Sequence, residues 1–255
     1  QQAYVKASNA DTGDEFGTRV ALSRDGHTLA VSAIREAGDG SKEDDNSVPA
    51  AGAVYVFVRA GETWSQQAYL KAPSPVTAAF FGARVALAAD GATLAAGNYA
   101  GAGVHIFTRT DGQWSIRSVV DAGGSVALSG DGRTLAAWYG QEVAVFAREG
   151  DSWPLQDIVA TASTEIDKDE RGTVMALSDD GDTLVFGAPR EDSAATGVHG
   201  PGDDVVQLDN STTDAGAAYV FVRTGGSWSE QAYVKASNTG VSDLFGVSVA
   251  LSGDG

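Results

Sequence analysis

Apolar and polar positions alternate along the chain in a pattern that returns several times. Each copy has a short apolar run that ends in Asp-Gly, and in four copies a second apolar run begins at a Thr two residues after that Gly. The five copies of the first run occupy 20–26, 85–91, 126–132, 174–181 and 249–255. Two such runs joined by Asp-Gly predict a tight β-hairpin with both turn residues at positive φ.

Two further segments complete each unit. A run that ends in Phe-x-Arg predicts a third strand, and a Trp follows each Phe by seven residues and begins a fourth strand. A four-stranded antiparallel meander cannot bury both of its faces alone, so successive sheets must stack, and repeats of this size close as β-propeller blades. We therefore predict an all-β propeller, a single repeat domain over 1–255. Its blades are predicted at 16–72, 81–121, 124–160 and 172–236, with partial-blade strands at 2–7 and 245–255.

Short motifs at the ends of these strands carry a family resemblance. A Phe-Gly pair precedes three of the first strands, and Gly187-Ala188-Pro189 ends one second strand. The pairs are Phe16-Gly17, Phe81-Gly82 and Phe245-Gly246. With them the units resemble FG-GAP repeats, the blades of integrin-α-like propellers, in the variety found in bacterial surface and secreted proteins. The resemblance implies a fragment of a seven-bladed or longer array and an extracellular or cell-surface location.

The match to that family is incomplete. Gly123-Gly124 and Arg171-Gly172 stand where the third and fourth units should have Phe-Gly. The family's calcium motif in the hairpin between strands one and two is missing, because those hairpins are short here. The resemblance therefore does not imply calcium by that route.

The charge of the chain narrows the choice of partners. Seventeen basic and 34 acidic residues give a net charge of -17, which repels nucleic acid and anionic lipid. No apolar run reaches the roughly 18 residues that a membrane-spanning helix needs, so we expect no membrane insertion. The absence of Cys excludes thiolate chemistry.

Two long insertions follow the second strands of the first and fourth units. The chain takes 32 residues from Asp25 to Phe57 and 41 from Asp180 to Phe221, against 17 and 15 in the other two units. Both insertions are rich in carboxylates, which suggests calcium as a cofactor, with solvated surface charge as the alternative. The candidate ligands are Glu36, Asp39, Asp44, Asp45, Asp192, Asp203, Asp204, Asp209 and Asp214, and the same loops also contain Glu43 and Glu191.

Three aromatic residues lie in the short loops of the second and third units, on the face from which the insertions emerge. Tyr99, Trp138 and Tyr139 are the first candidates for contact with a carbohydrate.

No catalytic motif is evident. The three His residues share no motif, and nucleophile-elbow, zinc-protease and phosphate-loop patterns are missing. We therefore expect no enzyme, but an extracellular binding module, adhesion or lectin-like, whose partner is a glycan or a protein. The alternative is a self-assembling surface or filament component whose partners are copies of itself. A secreted glycan-active enzyme with two carboxylates from distant loops is less favoured.

Overall fold

The strands form four sheets of the predicted kind. A computed structural model describes residues 2–99, 103–123, 125–140, 142–159, 161 and 174–255. They fold into four antiparallel sheets, here called blades one to four, and each contains the predicted four-stranded meander. The prediction of an all-β, propeller-like fold is confirmed. The predicted blade limits at 124, 160 and 172, and Arg171-Gly172, lie outside the described residues.

The first two blades follow the chain in simple order. Blade one consists of β1 (Phe16–Leu22), β2 (Thr28–Ala33), β3 (Ala53–Ala60) and β4 (Thr63–Leu70). Blade two consists of β5 (Arg84–Leu87), β6 (Thr93–Gly97), β7 (Val104–Thr110) and β8 (Gln113–Val120).

The last two blades repeat this order with one addition. Blade three consists of β9 (Val126–Leu128), β10 (Thr134–Tyr139), β11 (Glu142–Ala147) and β12 (Leu155–Val159). Blade four consists of β13 (Val174–Leu177), β14 (Thr183–Ala188), β16 (Ala217–Thr224) and β17 (Ser227–Val234). Its long loop adds β15 (Val198–His199), which pairs with β17, and the short helix α1 (Asp204–Gln207).

The chain divides into two compact units, Gln1–Leu128 with Glu149–Trp153, and Ser129–Arg148 with Pro154–Gly255. The predicted single domain over 1–255 stays a prediction. Residues 2–7 form no strand, and in 245–255 the described pairing is a single bridge from Phe245 to Gly216. A strand requires a neighbour that accepts and donates along its length, and neither segment has one here.

The middle strands are mostly buried, and the core that blades one and two share includes residues of both sheets. β2 and β3 are buried almost throughout, whereas the fourth strand β8 alternates between exposed and partly buried positions. In every blade the pairing of strands three and four shifts register just before the third-strand Phe. A β-bulge at one place in all four blades increases the local twist of each sheet in the same way.

The Asp-Gly hairpins differ from the prediction. Gly26 has φ of +69°, but Asp25 keeps an ordinary negative φ, so this is not the predicted two-residue turn. Asp25 Oδ1 instead accepts hydrogen bonds from Ser23 Oγ (2.6 Å) and the His27 amide (2.9 Å), and Ser23 Oγ accepts one from the Thr28 amide (2.9 Å). The Asp side chain thus closes the turn without a left-handed backbone at its own position. Blades three and four repeat these bonds.

These hairpins also stack on one another. The Arg24 amide donates to the Ala89 carbonyl at 3.0 Å, and a Cβ placed on Gly91 would lie 2.6 Å from Thr28 Oγ1. Between the hairpins of blades three and four, the Asp131 amide donates to the Asp179 carbonyl in the same way, at 2.8 Å. Glycine is therefore needed at Gly91 and Gly181 for close approach as well as for φ.

The Phe-Gly pairs dock on the blade that precedes them. The Phe80 and Phe81 amides donate to the carbonyls of Ala50 and Ala51 at 3.1 and 2.9 Å, at the end of the blade-one loop. Phe81 is fully buried in a core shared by blades one and two. The Leu244 and Phe245 amides make the equivalent bonds to the loop of blade four. The Phe-Gly pairs at 81–82 and 245–246 thus hold the chain that follows a long-loop blade against the loop of that blade.

Candidate functional site

A buried carboxyl group lies where the long loop of blade one begins. Glu36 follows β2 closely, and its amide donates to the Ala33 carbonyl at 3.2 Å in a turn. The Gly52 amide donates back to the Glu36 carbonyl at 2.8 Å, so the two ends of the loop meet at this residue. Only 1% of Glu36 is exposed. The loop therefore holds an ionisable group inside the protein.

Polar side chains surround this carboxyl group. Asn9 Nδ2 donates to Glu36 Oε1 at 2.8 Å, and the Tyr69 hydroxyl lies 3.2 Å from the same oxygen. The Tyr55 hydroxyl donates to Asn9 Oδ1 at 2.7 Å. Lys71 Nζ donates to the backbone carbonyls of Glu36 and Ala37 at 3.3 and 2.6 Å. The lysine thus anchors the loop backbone rather than the carboxylate.

The environment of Glu36 favours its protonated form. Burial raises its pKa to about 7, with further upward contributions from the charge of Asp14 and a hydrogen bond with Asp14, while Lys71 acts in the opposite direction. Two carboxyl groups in contact share a proton more readily than both ionise. Near neutral pH Glu36 can therefore take up or release a proton.

Asp14 lines a cavity of about 470 Å³, so the two carboxyl groups lie at the edge of this cavity. Its Oδ2 accepts a hydrogen bond from the Asp11 amide at 2.7 Å, and its carbonyl accepts one from the Arg35 amide at 3.1 Å. The polar part of the cavity wall consists of Lys6, Asp11, Asp14 and Glu15, and the apolar part includes Tyr4 and Phe16. We define the carboxyl pair as Asp14, which faces the cavity, and Glu36, which lies behind it.

Blade four contains a counterpart with a different electrostatic arrangement. Glu191 Oε2 lies 2.7 Å from Lys235 Nζ, and both side chains are fully buried. The Ser193 amide donates to Glu191 Oε1 at 3.1 Å, and the Gly216 amide donates to its carbonyl as Gly52 does in blade one. Burial still raises the pKa of Glu191, although Lys235 opposes this. Here the repeat position holds a structural ion pair.

Sequence reasoning listed both glutamates as loop acids and missed that they are buried. A signal was available, because Ala-x-Arg-Glu occurs at 33–36 and 188–191, and Tyr-x-Lys occurs at 69–71 and 233–235. A charged residue that returns at a fixed place after a buried strand indicates a packed role more often than a solvated one.

Two of the other acids predicted as calcium ligands in the blade-one loop, Asp39 and Asp45, accept hydrogen bonds from backbone amides. Asp45 Oδ2 accepts a hydrogen bond from the Asp39 amide at 2.7 Å, and Asp39 Oδ1 accepts one from the Ser41 amide at 2.8 Å. Asp44 makes no contact that joins it to them. These carboxylates cap turns in the loop.

The acids of the blade-four loop behave similarly. Asp192 Oδ1 accepts from the Asp214 amide at 2.7 Å, Asp209 Oδ2 accepts from the Ala194 amide at 2.8 Å, and Asp203 pairs with His199. Asp204 lies in the first turn of α1. Over the part of the chain that the structure describes, no three such side chains converge as metal ligands. Calcium binding stays a prediction.

The three aromatic candidates differ in exposure. Tyr99 and Tyr139 are 43% and 45% exposed, and ligand contact by these two stays a prediction. Trp138 is only 3% exposed, because it lies within β10 opposite Val143 and not in the loop after it. The predicted exposure of Trp138 in a loop is therefore wrong, and its contact with a ligand stays a prediction.

Part of the chain matches a known protein family. Residues 1–57 match the family model described as FG-GAP repeat. No curated protein matches the sequence. The described residues contain no helix with the length and apolar character to cross a bilayer.

Three solved structures share the fold at low identity. The periplasmic gluconolactonase PpgL of Pseudomonas aeruginosa is 20% identical with a TM-score of 0.50, over 85% of this chain and 57% of that one. A protein from Lactobacillus plantarum is 16% identical with a TM-score of 0.52, over 87% and 56%. Hydrazine synthase of Kuenenia stuttgartiensis is 15% identical with a TM-score of 0.50, over 89% and 53%. The chain therefore spans little more than half the length of these structures.

These likenesses correct the functional prediction. The expectation of a non-catalytic adhesion or lectin-like module, or of a self-assembling surface component, is wrong because the structures that share the fold include a gluconolactonase and hydrazine synthase. The absence of a contiguous motif was a poor guide, since loops from different blades can contribute separate side chains to one active site. The match over residues 1–57, the Phe-Gly contacts and the four blades together support an FG-GAP repeat β-propeller.

Proposed function

We propose that the chain belongs to a hydrolase that opens sugar lactones, with the carboxyl pair of Asp14 and Glu36 as its acid–base centre. The observation that carries this proposal is the raised pKa of Glu36 beside a second carboxyl group that lines a cavity. A general acid–base pair works best when its pKa lies near the working pH.

The reaction needs one proton to be taken and one to be returned. A water oxygen attacks the lactone carbonyl, and Asp14 accepts a proton from that water molecule. The tetrahedral intermediate collapses, the ring C–O bond breaks, and Asp14 returns its proton to the departing alkoxide, so that lactone and water give a hydroxy acid. Glu36 stores a proton behind Asp14 and keeps the pair at a single negative charge. Lys6, which lines the cavity, is the cation that we propose to stabilise the developing oxyanion.

The cavity and the fold support this substrate class. A volume of about 470 Å³ lies within the range of small-molecule sites, roughly 300 to 1,000 Å³, and accommodates one sugar ring. PpgL, which shares the fold, is a gluconolactonase. Tyr4 and Phe16 add the apolar surface on which a sugar ring packs.

The test is hydrolysis of glucono-1,5-lactone by the chain, measured above the spontaneous rate and as a function of pH. Asp14→Asn should abolish the catalysed rate. Glu36→Gln, which keeps a hydrogen-bond donor toward Asp14, should remove the inflection near pH 7. Glu15→Gln makes the same change of charge in the same cavity and should leave the rate within about twofold. Full activity in Asp14→Asn would eliminate the proposal.

We further propose that the protein works outside the cytoplasm of a bacterium, in the periplasm or at the cell surface. The periplasmic location of PpgL supports this compartment. Fractionation with an antibody against the chain tests it, and a signal confined to the cytosolic fraction would contradict it.

A further inference from the structure

The side chains that donate hydrogen bonds to Glu36 converge on one of its two carboxyl oxygens. Asn9 Nδ2 donates to Oε1 at 2.8 Å, and the Tyr69 hydroxyl donates to the same oxygen at 3.2 Å. A carboxyl oxygen has two lone pairs, so these two donors fill Oε1. Oε2 is therefore the oxygen left for the hydrogen bond with Asp14.

The orientation of the Asn9 amide is fixed by its other contacts. Its Nδ2 also donates to the Glu43 carbonyl, an oxygen that can only accept, so the amide nitrogen must face that side. Its Oδ1 accepts a hydrogen bond from the Tyr55 hydroxyl at 2.7 Å. A reversed amide would place two acceptor oxygens against each other. Asn9 therefore acts on Glu36 as a donor.

The equivalent glutamate of blade four has donors on both oxygens. Glu191 Oε1 accepts a hydrogen bond from the Ser193 amide at 3.1 Å, and Oε2 accepts one from the Lys235 ammonium group at 2.7 Å. Hydrogen bonds to both oxygens favour the carboxylate, because a proton on either oxygen would displace a donor. The one-sided arrangement at Glu36 is thus not imposed by the repeat.

Two donors that reach the glutamate of blade four point elsewhere in blade one. Gly38 stands two residues after Glu36, where blade four has a serine, and its amide donates to the Val48 carbonyl at 3.1 Å. The Lys71 ammonium group donates to backbone carbonyls at 3.3 and 2.6 Å. The loop of blade one therefore leaves one oxygen of Glu36 to carry a proton.

We infer that Asn9 is a positioning residue, which together with the Tyr69 hydroxyl keeps the proton of Glu36 on Oε2, beside Asp14. The inference rests on the proposed function of the carboxyl pair. Two donors make Oε1 the carbonyl oxygen of the protonated group, since a proton on Oε1 would displace one of them. The proton then stays between the two carboxyl groups. Asn9 is not part of the cavity wall, so it acts through Glu36 and not on the substrate.

The infrared absorption of the protonated carboxyl group tests the position of this proton. The C=O stretch of Glu36 is isolated by subtracting, for each protein, the spectrum of the same protein with Glu36→Gln, at a pH below the Glu36 pKa of about 7. Hydrogen bonds accepted by the carbonyl oxygen lower this frequency. Asn9→Ala and Tyr69→Phe should therefore each raise it. An unchanged frequency in both variants would overturn the inference.

The chain offers a matched control and a second variant. Asn46 Nδ2 donates to Asp11 Oδ2 at 3.0 Å, so Asn46→Ala removes an amide that binds another carboxylate of the cavity wall and should leave the frequency unchanged. Ser74 stands in the place of Asn9 where 67–74 repeats 2–9, so Asn9→Ser introduces a residue that the repeat already carries. Its short side chain should raise the frequency as alanine does. An equal rise in Asn46→Ala would contradict the assignment.

Steady-state kinetics distinguish this positioning role from the proposed function. For glucono-1,5-lactone, Asn9→Ala should lower kcat by about tenfold and leave KM within about twofold, because the proton is no longer held on Oε2 while the cavity wall is unchanged. The infrared shift requires no turnover. A shifted band without lactone hydrolysis by the wild-type chain would overturn the proposed function alone, and hydrolysis with an unmoved band would overturn the positioning role alone.

Discussion

Glu36 and Glu191 occupy one position of the repeat in blades one and four. The lysine that follows the fourth strand of each of these two blades makes a different contact with its glutamate. Lys235 pairs with the Glu191 carboxylate, whereas Lys71 donates to backbone carbonyls and leaves Glu36 beside Asp14. Removing one partner of a buried ion pair leaves an uncompensated charge, but removing a carboxyl group that prefers to be neutral does not.

Glu191→Gln should therefore lower the free energy of unfolding by about 3 kcal/mol, because Lys235 loses its buried counter-charge. Glu36→Gln should have little effect below pH 5 and should stabilise the protein relative to wild type at pH 8. Urea unfolding at both pH values measures the two differences.

The sign follows from the pKa of Glu36. It rises from about 4.5 in the unfolded chain to about 7 in the folded protein, so the folded state binds more protons between these values. The contribution of Glu36 is fully present below pH 4.5 and is lost as pH rises through 7. Glutamine cannot ionise and removes this loss. Equal behaviour of the two glutamine variants at pH 8 would show that the repeat uses both glutamates alike.

At the scale of the elements, the hairpin turns join neighbouring blades as well as neighbouring strands. Gly26 and Gly91 have nearly the same φ, +69° and +66°. A Cβ at Gly26 would meet open space, whereas at Gly91 it would meet Thr28. The two glycines therefore separate the cost of backbone conformation from the cost of lost close approach.

Gly26→Ala should destabilise by about 1 kcal/mol, since a left-handed backbone costs an L-residue roughly that much. Gly91→Ala should cost a further 1 to 3 kcal/mol, roughly, because the added methyl group overpacks the contact with Thr28. Thermal unfolding of the two variants under one condition compares them. Equal losses of stability in the two variants would show that the close contact between the two turns does not contribute to stability.

The strands were predictable from the sequence because alternation and the repeated Asp-Gly, Phe-x-Arg and Trp positions are local signals. The turn conformation was not, because it depends on where the carboxylate of Asp25 points. The docking of Phe81 on Ala51 joins residues 30 positions apart and has no local signature. Trp138 and Glu36 were misjudged for one reason, that residue type indicated exposure while neighbouring elements covered them.

At the scale of the whole molecule, a net charge of -17 opposes compactness. Raising NaCl from about 0.01 M to about 0.15 M shortens the Debye length from about 30 Å to about 8 Å and should raise the unfolding temperature. CaCl₂ at equal ionic strength tests the predicted metal site, because specific calcium binding to the folded state would raise the unfolding temperature further. A clearly larger shift with calcium would establish the predicted metal site.

The docking of Phe80 and Phe81 has a consequence for synthesis on the ribosome. A nascent chain that has emerged only to the end of β4 has all four strands of blade one, but the donors for the Ala50 and Ala51 carbonyls are still inside the exit tunnel. The loop that carries Glu36 can settle only when Phe81 arrives. The loop of the first blade thus acquires its last hydrogen bonds only after all four strands of that blade have been synthesised. A truncated product that stops at Leu70 lacks these bonds and should expose the loop to proteases and chaperones.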